Sequence, residues 1–228
     1  MVGTVLEGVL LVRLVSLKLQ RVYLWVTLYW AANLLVDVSA WVSGWDSPEA
    51  ERIFLYTRFL FAALYPLAAW DVFEEIAAPL AKLRKAHALR LVSGLFVTAL
   101  LGFIFSIGLD EQEIQGTSSS VVFIGLFLWM GSACASLLFT ANVWRSARKL
   151  DSPTPHNTWV WTIFFLITFG RAILDCAAVL AGSLLRGRTL SLIEVLFSSF
   201  DVCLTVWCLL KLKALPSDAA SISEKATS

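Results

Sequence analysis

Among the ionisable side chains set within apolar stretches, six are candidates for chemistry: Asp37, Arg58, Arg171, Asp175, Glu194 and Asp201. Charge in apolar surroundings is costly, so such residues pair with one another, line a water-filled cavity, or handle protons or ligands. Arg171 and Asp175 are four residues apart, which puts them on one face of a helix. A guanidinium held between Asp175 and Asp201 can join two helices, recognise a polar small molecule, or take part in proton transfer. Asp37, Arg58 and Glu194 form a second candidate set. Motifs of enzymatic chemistry are missing: there is no HExxH, no GxSxG and no Gly-rich phosphate loop. His87 and His156 both stand in polar connections, so no bis-histidine haem is expected. Residues 189–210 contain no lysine for a retinal Schiff base. Cys134, Cys176, Cys203 and Cys208 lie in apolar stretches without a CxxC pair and read as small buried hydrophobes. No cofactor or metal is expected, and an enzyme acting on lipid ranks last among the functions considered.

The elements that must position these residues are set by hydropathy. The chain has 228 residues, 58% hydrophobic and 15% charged, against about 25% charged in a soluble domain. A soluble core of this size cannot hide so much apolar surface, so lipid is the expected solvent for much of it. The net charge of +1 offers no nucleic-acid footprint. Apolar runs cover 2–17, 22–43, 53–76, 88–109, 119–144, 158–185 and 189–212. A helix of about 22 residues rises about 33 Å, enough for a bilayer core of about 30 Å. The expected fold is therefore all-α: a polytopic bundle of about seven spans, one transmembrane domain over 1–215 with a disordered cytoplasmic tail over 216–228. The first run is the weakest span, being short and carrying Glu7 and Arg13, and an interfacial helix is its alternative. It lacks the small-residue cleavage site of a signal peptide, and its two charges read as helix-end anchors.

Basic residues fall on alternate connections. Lys18, Arg21, Lys82, Arg84, Lys85, Arg90, Arg145, Arg148, Lys149, Lys211 and Lys213 are on one side, eleven in all, against Arg52, Arg186 and Arg188 on the other, three in all. That bias predicts a cytoplasmic C-terminus and, with seven spans, an outside N-terminus. On this topology Asp37, Arg58 and Glu194 each lie five or six residues below the outer ends of their runs, a depth of about 8 Å. They are expected near the mouth of an outward-facing polar cavity with Arg171, Asp175 and Asp201 at its floor. The structural alternative is that the Arg–Asp pair only holds helices in register. Asp71, Glu74 and Glu75 read as a solvated cytoplasmic helix extension, or else as a docking surface for a cytoplasmic protein partner. Trp25, Trp41, Trp45, Trp70, Trp144, Trp159, Trp161 and Trp207 read as an interfacial aromatic belt, with Trp30 and Trp129 deeper. Pro66 should kink the third helix.

The short first helix, the segment LYPLAAWDVFEE at 64–75 and the arginine-rich turns resemble a group of uncharacterised small seven-helix bacterial inner-membrane proteins. The resemblance spans most of the chain. It implies a multi-pass inner-membrane location and no activity. The function expected is non-enzymatic sensing or binding of a small molecule from the outer side. A small-molecule or proton-coupled transporter and a scaffold subunit of a membrane complex remain the alternatives. The expected partners are the lipid bilayer, a small-molecule ligand and a protein at the cytoplasmic loops.

Overall fold

The computed structural model describes residues 2–44, 47–77, 81–107, 113–114, 117–148, 155–181 and 188–214. Seven α-helices lie among them: α1 Val2–Ser16, α2 Leu24–Ser43, α3 Pro48–Ala77, α4 Ala81–Ile107, α5 Ser119–Ala147, α6 His156–Ala181 and α7 Arg188–Lys211. A 3-10 turn, Leu19–Arg21, joins α1 to α2, and a minimal hairpin, Glu113–Ile114 with Thr117–Ser118, precedes α5. Each expected apolar run holds one helix. The tail over 216–228 lies outside the described residues.

Local chemistry explains where boundaries differ from the hydropathy reading. α3 begins at Pro48, before its apolar run, because Ser47 caps it: the Ser47 hydroxyl accepts from the Ala50 amide at 3.1 Å. Proline at the first helical position costs no hydrogen bond there. α4 starts at Ala81, so the basic connection before residue 88 continues the helix.

Among the described residues three segments are long and apolar enough to cross a membrane: Pro48–Glu75, Val121–Ala147 and His156–Ala177. α1, at 15 residues, spans about 22 Å and falls short of a bilayer core. Its faces are nonetheless sharply sorted, with Leu10 and Leu14 fully buried and Val5, Val9 and Val12 at least half exposed. Similar apolar side chains cover the outside of the other helices, among them Leu35, Leu60, Phe96, Leu138, Leu174 and Leu210.

α1 packs between α2 and α7, α2 against α3, α3 against α6, and α6 against α7, closing a ring of five helices. α5 seats against both α3 and α6, and α4 lies outermost, mainly on α5. Thus α4, though next to α3 in sequence, touches it only slightly. The ring is filled by aromatic side chains. Tyr29 of α2 meets Phe61, Tyr65, Phe164 and Phe165 with centroids 5.8–6.3 Å apart. Phe165 stacks on Phe169 at 5.2 Å. Trp161 is fully buried in this core, beside Tyr23 and Phe164. This corrects its assignment to an aromatic belt: the face of α6 that carries 161, 165 and 169 points inward.

Pro66 sits inside α3 and cannot donate to the Ala62 carbonyl four residues earlier. The Ser132 hydroxyl of α5 donates to that carbonyl at 2.6 Å. A neighbouring hydroxyl thus repairs the helix break, as buried apolar surroundings require. Ser132→Ala should lower the unfolding free energy by about 1–3 kcal/mol, the cost of an unsatisfied buried carbonyl. Thermal unfolding in detergent measures it. A loss no larger than that of an exposed Ser→Ala change would mean that Ala62 finds another donor.

Candidate functional site

Arg171 projects from α6 and pairs with two carboxylates. Its Nε lies 3.3 Å from Asp175 Oδ2 one turn on, and its Nη1 meets Asp201 Oδ2 of α7. The i,i+4 spacing supplies the first contact. The second needs the α6–α7 packing. None of the three is sealed: their side chains remain 27%, 29% and 46% exposed, in the order Arg171, Asp175, Asp201. One guanidinium against two carboxylates leaves a formal excess of one negative charge.

Two of the remaining candidate residues, Asp37 and Arg58, meet different neighbours. Asp37 accepts a hydrogen bond from the Thr4 hydroxyl of α1 at 3.0 Å and lies within electrostatic reach of Glu7. Arg58 instead turns to α5, its guanidinium 5.9 Å from the Trp129 ring centroid. No ion pair joins Asp37 to Arg58 among the described residues. Equal depth did not bring them together, because helix rotation aims one at α1 and the other at α5. The side chain of Glu194 lies outside the described residues. Glu7, expected as a helix-end anchor, is half-buried beside Asp37 with Oε2 shielded from solvent.

The end of the bundle that carries the basic connections is stitched by polar contacts. α2 lacks a capping side chain of its own, since Tyr23 stands at its N-cap and makes no side-chain cap. Asp71 of α3 supplies one: its Oδ2 accepts from the amides of Trp25 and Val26 at 2.5 and 3.1 Å. These are the second and third amides of α2, the pair that a cap satisfies, and the carboxylate also meets the positive end of the helix dipole. Glu75, one turn on, accepts from the hydroxyls of Tyr23 and of Thr158 on α6. The two hydroxyls are themselves 3.3 Å apart. Asp71 is only 7% exposed. The reading of Asp71 and Glu75 as a solvated extension is therefore overturned. Only Glu74 is exposed.

α7 is fastened at the same end. Arg13 Nη2 donates to the Leu212 carbonyl at 2.9 Å, and His156 Nε2 to the Lys211 carbonyl at 2.8 Å. Asn157 exchanges two bonds with the Lys213 backbone, at 2.8 and 3.0 Å. Donors on the terminal carbonyls of a helix satisfy groups that its own ladder cannot reach. The sequence signal for the α2 cap was an absence. A helix that opens on Tyr-Leu-Trp with no Ser, Thr, Asp or Asn must borrow a cap, and Asp71 and Glu75 share a face at i,i+4.

The chain thus has a partly open ion-paired set at mid-helix and a closed polar lattice at its basic end. No family model, no curated protein and no solved structure matches this chain.

Proposed function

We propose that this chain is a seven-span membrane protein that binds a small polar molecule from the side opposite its basic connections, at Arg171, Asp175 and Asp201. The observation that carries the reading is the exposure of that set: 27–46% in the middle of helices whose outer surface also carries the exposed apolar side chains Leu174, Phe200 and Leu210. Ionised groups at such a depth need water or a ligand. The eleven-to-three distribution of basic residues puts the closed end in the cytoplasm and the N-terminus outside. The resemblance to small inner-membrane proteins supports a bacterial inner-membrane location. Hydrogen bonds across the basic end, tying α1 and α6 to α7 and α2 and α6 to α3, favour binding over passage through the bundle.

The test uses a variant with its four native cysteines replaced by alanine. Single cysteines at Asp37 and Asp201 should react with a membrane-impermeant thiol reagent applied outside intact cells, and one at the lipid-facing Val206 should not. Labelling of Asp201→Cys only after the cytoplasmic side is opened would reverse the orientation. No labelling from either side would make the Arg171 set a dry helix clamp and remove the binding reading.

A further inference from the structure

A groove of about 190 Å³ runs between α4 and α5, lined by Arg90, Leu91, Gly94, Ala135, Leu138, Phe139 and Asn142. The helices meet along small residues. A Cβ on Gly94 would stand 3.3 Å from the Ala135 Cβ, and one on Gly131 would overlap Thr98. The pairs 94/135 and 98/131 are one turn apart on each helix, which sets an antiparallel register. Small residues at four-residue spacing let membrane helices approach closely. The approach leaves a shallow trough on the outer flank, where Leu138 is 65% exposed. The outer face of α4 carries Leu89, Val92, Phe96 and Val97, all more than half exposed.

The trough has a polar end. Arg90 is exposed, and Asn142 lines the same end from α5. Arg145, also exposed, follows Asn142 by three residues and so stands on its side of α5, one turn nearer the basic end. One guanidinium in the lining and a second one turn beyond Asn142, both toward the basic end of an apolar trough, match the chemistry of one ligand class.

We propose that the α4–α5 groove binds one anionic glycerophospholipid, with its phosphate on Arg90 and Arg145 and an acyl chain laid along Gly94, Ala135 and Leu138. Guanidinium is suited to phosphate because its planar fork bonds two oxygens at once. The anionic lipids of a leaflet are drawn to basic residues placed at its surface. Acyl chains need only an apolar trough, which the small residues supply. The site is separate from the Arg171 set and stands or falls without it.

The test is native mass spectrometry of the full chain in nonionic detergent, with phosphatidylglycerol and phosphatidylcholine of matched chains added in competition. One phosphatidylglycerol should be retained in preference to phosphatidylcholine. The double variant Arg90→Gln, Arg145→Gln should lose retention by about 30-fold, the combined attraction of two basic side chains. Leu138→Trp, which fills the trough from its exposed side and leaves both arginines in place, should also lose the lipid. Arg52→Gln, at the opposite end, should retain it. Equal retention of both lipids would overturn the proposal. So would unchanged retention in the double variant or in Leu138→Trp, or full competition by glycerol 3-phosphate, which has no acyl chain.

Discussion

Replacing Arg171 by alanine is expected to lower the unfolding free energy by about 1–3 kcal/mol. Removing one partner of a buried pair costs about 3–5 kcal/mol because a charge is left uncompensated. Here Arg171 is 27% exposed and Asp201 46% exposed, so solvent screening places the cost below that range and above that of a surface pair. The loss is large because two carboxylates share the one guanidinium: without it, Asp175 and Asp201 face each other across α6 and α7 as like charges. Arg171→Lys should recover only part, since an ammonium lacks the fork that reaches Asp175 through Nε and Asp201 through Nη1. The measurement is thermal unfolding in detergent beside Arg52→Ala, which removes an exposed arginine. Small and equal losses from both would show that the Arg171 pairs contribute nothing to holding α6 against α7.

Adding one methyl group at Gly131 is expected to destabilise the protein by about 1–3 kcal/mol, the usual cost of overpacking. Helix propensity alone predicts the opposite sign, since alanine is better than glycine in a helix by about 1 kcal/mol. The packing decides. A Cβ at Gly131 falls on the Cβ, Cγ2 and Oγ1 of Thr98. Thr98 cannot turn aside, because its hydroxyl is held by the carbonyls of Gly94 at 3.1 Å and Leu95 at 2.9 Å. Its Cβ is fixed by the α4 backbone in any rotamer. Thr98→Ser should therefore give no rescue, whereas Thr98→Gly should restore part of the loss in Gly131→Ala. A double-mutant cycle on thermal stability reads this coupling directly. Stabilisation by Gly131→Ala alone would show that α4 and α5 do not approach here.

How far the sequence reached depended on whether a signal was local. Helix positions are local: each apolar run holds one helix, and the main displacements, at α3 and α4, come from a Ser47–Pro48 start and a basic first turn. The Arg171–Asp175 contact is local too, being one helical turn. Its extension to Asp201 needed only that two consecutive helices, α6 and α7, lie side by side. Asp37 and Arg58 show the limit. Their depth followed from counting residues, but their partners, Thr4 and Trp129, depend on how α2 and α3 are rotated about their axes. The rotation of α6 about its own axis likewise took Trp161 from the expected belt into the core.

By itself, then, the amino-acid order determined the helices, the lipid-like composition of their surfaces, the alternation of basic connections and the i,i+4 ion pair. These follow from hydropathy, helical periodicity and charge counts, which are properties of neighbouring residues. Tertiary structure alone decided that Asp71 caps α2, that Glu75 joins Tyr23 to Thr158, that Ser132 repairs the break at Pro66, and that Gly131 meets Thr98. Each of these joins residues more than thirty positions apart. The first three exist because a buried amide, carbonyl or carboxylate must find a partner wherever the packed helices place one, and the last because two helices close on small residues; no spacing along the chain encodes either position.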